Sequence, residues 1–163
     1  MAMLLQHERL CTHRELEILL TYLDAERDQL AERIRRGEFS VLVGNVYSIS
    51  QVAGLNHSWP TVPGPVQNVP KGTPYIEVGR FRALFEANPN AEWAEHKARI
   101  DSMVDTLRNG RELPGKIVMW RQHCPLDAWV IIIGNHTASA LYNYALKSTQ
   151  ELNLFLYRVE EPR

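Results

Sequence analysis

The chain has 163 residues, of which 45% are apolar and 23% charged, and its formal net charge is −1. This is the composition of an ordinary globular domain, and it excludes a protein that coats nucleic acid by bulk positive charge. No apolar run approaches the roughly 18 residues of a membrane-spanning helix, and the two cysteines lack metal-type spacing. We therefore expect one cytoplasmic domain, residues 1–163, without membrane contact.

The first predicted element is an amphipathic helix over residues 12–36. Thr12 and Glu15 have the spacing of a capping box, and leucines repeat on one face of the helix. The apolar face favours packing against the rest of the domain, and a dimerisation surface is the alternative reading. A β-rich stretch at 39–49 completes an N-terminal extension, residues 1–49.

The next segment, residues 50–74, is rich in proline and glycine. This composition predicts a long irregular loop, and such loops in compact domains often cover a functional site. Trp59 lies within the segment. Its side chain is expected either to lie over a ligand or, as the commoner case, to plug the adjacent core.

From residue 75 the pattern of apolar residues predicts the order β-α-β-β-α-β. The predicted elements are a strand at 75–78, a helix from Asn88-Pro89 to Gly110, strands at 116–120 and 128–133, a helix at 137–147 and a strand at 152–159. The predicted fold class is therefore α+β, with this core in residues 75–163.

The joint between the second hairpin strand and the following helix, IIIGNHTASAL, carries the strongest chemical signal. Gly134 permits a sharp turn, and the first N–H groups of the helix lack internal partners and attract anions such as phosphate. Asn135 has an amide and Thr137 a hydroxyl to donate, and His136 can move a proton near neutral pH. A structural turn capped by Thr137 is the alternative.

Two stretches resemble the ParB/sulfiredoxin-like superfamily: IDSMVDTLRNGRELPGKIVMW (residues 100–120) and VIIIGNHTASAL (residues 130–141). The resemblance covers residues 75–160. It implies a core in which a glycine turn between strand and helix holds the phosphates of a nucleotide.

Carried over residue by residue, Gly134, Asn135 and His136 match this phosphate turn. The segment from Gly110 through Leu113 to Pro114 matches the loop that lies near the nucleotide base. The family places an arginine where this chain has Thr137, which removes a bidentate phosphate donor. Asn135 stands where sulfiredoxins have a cysteine, so reduction of sulfinic acids by a thiol is excluded.

The resemblance also assigns catalytic roles, to Glu77 and His136. Glu77 matches an acidic residue of the first core strand, which acts as a general base or binds Mg²⁺. Arg80 and Arg82 follow it and would neutralise phosphate charge. The histidines have no zinc-type spacing.

Stand-alone proteins of similar architecture include the plasmid-encoded fertility-inhibition, or oncogenic-suppression, proteins, which block transfer of another DNA element. The resemblance implies a phosphohydrolase that uses ATP and Mg²⁺ and hydrolyses ATP, cleaves DNA, or both. Its expected partners are a nucleotide, DNA bound without sequence specificity, and a protein of a DNA-transfer system. A non-catalytic inhibitor or adaptor that keeps the fold is the alternative, and a small-molecule phosphotransferase is a third reading.

Overall fold

The described part of the computed structural model comprises residues 6–46, 49–113, 116–122, 128–147 and 154–160. Its helices are α1 (His13–Glu26), α2 (Asp28–Arg35), α3 (Ile49–Ala53), α4 (Phe81–Ala87), α5 (Ala91–Arg108) and α6 (Asn135–Lys147). Its strands are β1 (Gln6–Leu10), β2 (Ser40–Val46), β3 (Asn56–Pro60), β4 (Tyr75–Glu77), β5 (Ile117–Gln122), β6 (Ala128–Ile133) and β7 (Leu154–Glu160). No helix among these residues is long and apolar enough to cross a bilayer.

The strands form one mixed sheet in the order β1-β2-β7-β5-β6-β3-β4. Two neighbouring pairs, β5 with β7 and β3 with β6, are parallel, and the other pairs are antiparallel. Helices cover both faces of the central strands, which is why β5 and β6 have nearly continuous apolar sequences.

The core lies in three clusters around this sheet. Helices α1 and α2 pack on one face, over β2, β5 and β7. Helices α3 and α6 pack on the other face, against β5 and β6. Beyond them, α4 and α5 pack against α6 and β4 around Trp93 and Ile76, both of which are buried. The described chain is thus an α+β domain with a mixed sheet, as expected.

The elements of the predicted order β-α-β-β-α-β from residue 75 are present as β4, α5, β5, β6, α6 and β7, but a further helix that was not predicted, α4, lies between β4 and α5. The end of α5 also agrees with prediction: Gly110 has φ +72° and donates to Leu107, and Arg111 donates to Thr106. These two hydrogen bonds form a Schellman motif, which satisfies the last carbonyl groups of the helix.

The single helix predicted over residues 12–36 is wrong, because the chain forms α1 and α2 with a break at Arg27. The capping box of Thr12 and Glu15 is present as predicted. Arg27 has φ −148° and ψ 65°, outside the helical region. The break redirects the chain, so that Leu30 in α2 remains buried against the same sheet face as Leu23 in α1.

The irregular loop predicted over residues 50–74 is also wrong, since α3 and β3 form within and beside it. β3 inserts between β4 and β6 rather than lying outside the core. Its side chains alternate between the two faces of the sheet. His57 and Trp59 point towards α5 and α6, and Ser58 points towards α2.

Candidate functional site

The joint between β6 and α6 has the tight turn predicted from the sequence. Gly134 has φ +91°, a conformation that residues with a Cβ atom rarely adopt. A Cβ atom at this position would lie 2.7 Å from the carbonyl oxygen of Lys116 and 2.9 Å from Cγ1 of Ile117. The register of β5 and β6 shifts just before the turn, between Val118 and Met119. Both backbone conformation and space therefore require glycine here.

Helix α6 begins at Asn135, two residues earlier than predicted. Its first internal hydrogen bond is donated by Ala138 to Gly134 over 2.9 Å. The N–H groups of residues 135–137 therefore precede the internal ladder and form the positive end of the helix. Thr137 lies inside the first turn and is not the N-cap residue. This corrects the predicted capping role of its hydroxyl.

The side chain of Asn135 is held by β3 and β6. Its Oδ1 accepts from the backbone N–H of Ser58 at 3.0 Å, and its Nδ2 donates to Ser58 Oγ at 2.9 Å and to the carbonyl oxygen of Ile131 at 3.3 Å. The carboxamide thus bridges the two strands where they separate. Both of its hydrogens are used, so Asn135 offers a phosphate its backbone N–H rather than the side-chain amide expected from the sequence.

His57 is buried beneath the turn and connects two side chains of α6, those of Asn135 and Ser139. Its Nδ1 lies 3.0 Å from Asn135 Oδ1, and its Nε2 lies 2.8 Å from Ser139 Oγ. Because Oδ1 already accepts from a backbone N–H, Nδ1 must carry the proton, and Nε2 accepts from the serine hydroxyl. Serine, histidine and asparagine have the order of a nucleophilic triad. Ser139 is only 2% exposed, however, so the arrangement holds the structure together.

A second pair of imidazoles lies at the mouth of the turn. His96 on α5 and His136 on α6 approach each other, with 2.9 Å between Nδ1 and Nε2. Trp59 stacks on His96 at 3.9 Å and on His57 at 4.2 Å, measured between ring centroids. Because imidazoles cover both faces of the indole ring, Trp59 is a spacer that fixes the histidines, and a nucleotide base cannot stack on it in this arrangement.

Burial keeps the histidines of this site neutral. It lowers the pKa of His57 to about 3, against the opposing effect of the hydrogen bond to Asn135. Burial, with the nearby charges of His96 and Arg99, lowers the pKa of His136 to about 4. Burial also lowers the pKa of His96. At neutral pH these imidazoles are therefore uncharged. Arg99 on α5 contributes positive charge near His96 and His136, and Glu92 and Glu95 contribute negative charge near His96.

These low pKa values make the stability of the protein depend on pH. Below the usual value of 6.5 the unfolded chain binds protons at His57 and His136 that the folded chain does not. The free energy of unfolding should be at its full value above pH 6.5 and fall as the pH drops towards 4, by up to about 1.4 kcal/mol per pH unit for each histidine. Urea unfolding at pH 7 and pH 5 measures the slope.

Two variants provide the comparison. His136→Asn should lose less stability between the two pH values than the wild type, because one titrating group is removed. Since His136 is half-buried, its contribution to the slope should be smaller than about 1.4 kcal/mol per pH unit. Ser102→Asn changes an exposed side chain of α5 that does not titrate, and it should leave the slope unchanged. Equal slopes in the wild type and His136→Asn would show that His136 does not titrate in this way.

The structure does not bring Glu77 together with His136. Glu77 is exposed and pairs with Asn56, at the end of β3 away from the turn. Ile76 is buried towards α5, so strand alternation directs Glu77 to the opposite face of the sheet. The mechanism in which these two residues share a cleft is therefore not supported.

No group of three potential metal ligands (His, Cys, Asp or Glu) is present among the described residues, so we derive no step through Mg²⁺.

The remaining predicted residues surround the site at a greater distance. Arg80 is exposed beside the start of α4, and Arg82 lies 3.8 Å from Asp101 of α5, so part of its charge is neutralised. Leu113 is half-buried and packs against the cluster around Trp93. Pro114 lies outside the described residues.

The arginine clusters noted in the sequence do not concentrate free positive charge. Of the seven arginines at positions 33, 35, 36, 80, 82, 108 and 111, four form ion pairs with acidic side chains: Arg33 with Glu38, Arg35 with Asp24, Arg82 with Asp101 and Arg108 with Asp105. The charge available to a DNA backbone is reduced accordingly.

A cleft of about 660 Å³ lies on the opposite face of the sheet. Residues at the α1–α2 break form one wall, and the floor includes Tyr75, Trp120 and Ser58. None of the predicted catalytic or phosphate-binding residues lines it. Ser58 alone connects the cleft to the turn, through its hydrogen bonds with Asn135.

Sequence reasoning missed His57, His96 and Arg99 as parts of this site. His57 lies 78 residues from Asn135, so no local spacing links them. One signal was present: Leu55, His57 and Trp59 alternate with polar residues, which is the period of a half-buried strand.

Comparisons of the chain with protein families, with curated proteins and with solved structures find no match.

Proposed function

We propose that the protein binds the phosphate groups of a nucleotide, with ATP as the first candidate, at the N-terminal turn of α6. The observation that most supports this proposal is that four groups come together at the mouth of the turn between β6 and α6. The N–H groups of residues 135–137, which have no hydrogen-bond partner among the described residues, lie there with the imidazoles of His96 and His136, and the charge of Arg99 is near enough to lower the pKa of His136. Helix N–H groups and cations are the usual partners of phosphate oxygens.

We further propose that the protein hydrolyses a phosphoanhydride bond of ATP, a phosphoester bond of DNA, or both at this turn. Neutral His136 takes a proton from the attacking water at Nδ1, while its Nε2–H donates to His96 Nδ1 and so holds the ring in place. As water adds to the phosphorus atom, the bond from phosphorus to the leaving oxygen, of ADP or of the cut DNA strand, breaks, and that oxygen leaves with the bonding electron pair. The α6 N–H groups stabilise the charge that develops on the phosphate oxygens. An adjacent phosphate dianion also raises the pKa of His136, which brings this base closer to its working range. A ParB-like arrangement of the core is part of the same proposal.

The test is calorimetric titration of the protein with ATP, with and without Mg²⁺. The wild type should bind with micromolar affinity. Arg99→Ala should bind several-fold more weakly, because a cation at the phosphate is lost, whereas Arg14→Ala changes an exposed arginine of α1 and should bind like the wild type.

The absence of any binding heat in the wild type, under conditions in which the protein is folded, would contradict nucleotide binding. The non-catalytic adaptor would then be the better reading, because Thr137 stands where ParB-like proteins have an arginine for the phosphate. Equal affinities for Arg99→Ala and Arg14→Ala would place the nucleotide elsewhere on the protein.

A further inference from the structure

The hydrogen bonds beneath the turn form a continuous chain from α6 back to its own first residue. Ser139 Oγ contacts His57 Nε2 at 2.8 Å, His57 Nδ1 contacts Asn135 Oδ1 at 3.0 Å, and Asn135 bonds Ser58 on both sides of its carboxamide. His57 is completely buried, and Trp59 stacks on its ring. The imidazole is therefore held in one place by contacts at both nitrogens and on one face.

This series of side-chain hydrogen bonds lies where little backbone pairing joins β3 to β6. β3 and β6 share one paired position, Asn56 with Val130, and beyond it the two strands are joined by the Asn135 carboxamide. The direction in which the first turn of α6 points thus depends on how that carboxamide is oriented. Two residues of β3 hold this orientation: Ser58, through its backbone N–H and its Oγ, and His57, whose Nδ1–H donates to Oδ1.

We propose that His57 is a positioning residue: through Asn135 it holds the first turn of α6 so that the N–H groups of this turn and His136 face a bound phosphate. The effect of this inference on ATP affinity rests on the proposed function. Its structural part, the proton on Nδ1 and the hold on Asn135, stands independently. His57 is completely buried, so it influences a phosphate at the turn through Asn135 rather than by direct contact.

Two substitutions separate this role from simple support of the fold. His57→Asn places an amide N–H at the position of Nδ1 and keeps the donor to Asn135, but loses the contact with Ser139. His57→Gln places its amide at the position of Nε2, which keeps the contact with Ser139 and loses the donor. Both remove the ring that stacks on Trp59, so both should lower the melting temperature.

ATP affinity should distinguish the two variants. His57→Asn should bind ATP within about twofold of the wild type, and His57→Gln about tenfold more weakly, the equivalent of one lost buried hydrogen bond. Equal affinities, or tighter binding by the Gln variant, would overturn the positioning role. Amide hydrogen exchange of the first turn of α6 should also quicken in the Gln variant and stay slow in the Asn variant.

A measurement on the wild type keeps the proposal testable even when neither variant folds or when ATP does not bind. The ring nitrogen shifts of His57 in an NMR spectrum report which nitrogen carries the proton. We expect a proton on Nδ1 and none on Nε2. A proton on Nε2 would mean that Nδ1 cannot donate to Asn135, and the proposal would fail whatever the nucleotide result.

Discussion

Gly134→Ala should destabilise the protein by at least about 3 kcal/mol, since the added Cβ atom meets both strained backbone and occupied space. The φ angle of +91° disfavours any side chain, and the carbonyl oxygen of Lys116, just before β5, lies 2.7 Å from where Cβ would be. Lys116 adjoins Ile117, the first residue of β5, so a shift of this carbonyl would disturb the start of a strand that pairs with β6. Urea unfolding monitored by tryptophan fluorescence gives the free-energy difference.

Gly37→Ala is the matched control for this change. Gly37 also has a positive φ, +75°, but nothing lies within 4 Å of its Cβ position. Gly37→Ala should lower the free energy of unfolding by about 1 kcal/mol, which is the cost of the unfavourable backbone conformation alone. Similar losses for the two variants would show that β5 yields to the new atom. The large loss expected at position 134 also means that a Gly134 variant cannot serve as a folded control in binding experiments.

His136→Ala should lower the rate of ATP hydrolysis by at least about tenfold, the smallest effect usual for a group that transfers a proton. The half-buried imidazole is neutral and lies beside the α6 N–H groups, so it is the base nearest to a phosphate bound there. Its removal should reduce kcat more than it raises KM for ATP, because the N–H groups and Arg99 still hold the substrate. Steady-state hydrolysis of ATP at pH 7 provides both constants.

His13→Ala is the control for this experiment, since it removes an exposed imidazole of α1 far from the turn. His96→Ala should give an intermediate loss, because it frees the His136 ring without removing it. An unchanged rate in His136→Ala would remove His136 from the mechanism. A rise in KM without a fall in kcat would make it a binding residue rather than a base.

The local part of this fold could be predicted because neighbouring residues determine it. The capping box at Thr12, the glycine end of α5 and the strand-turn-helix at Gly134 each depend on a few adjacent residues. The break at Arg27 could not, because the sequence there contains neither glycine nor proline and the apolar repeat continues across it. Tertiary packing against the sheet overrides local preference at that point.

The candidate site was predicted only where it coincides with the turn. Gly134 and His136 are two residues apart in the sequence, whereas His57 and His96 come from β3 and α5. β3 was missed because proline and glycine surround it, and their loop signal outweighed five residues of alternation. Glu77 was assigned to the site from its position on the first core strand. The face that its side chain occupies follows from the observed burial of the neighbouring Ile76 towards α5.

Chemical-shift mapping of the backbone amides during titration with ATP tests the central claim most directly. The proposed site predicts saturable shifts that are largest for the N–H groups of Asn135, His136 and Thr137, with smaller shifts at His96 and Arg99. Shifts confined to Tyr75 and Trp120 would place the nucleotide in the cleft on the opposite face of the sheet. That result, or the absence of any saturable shift, would contradict phosphate binding at the start of α6.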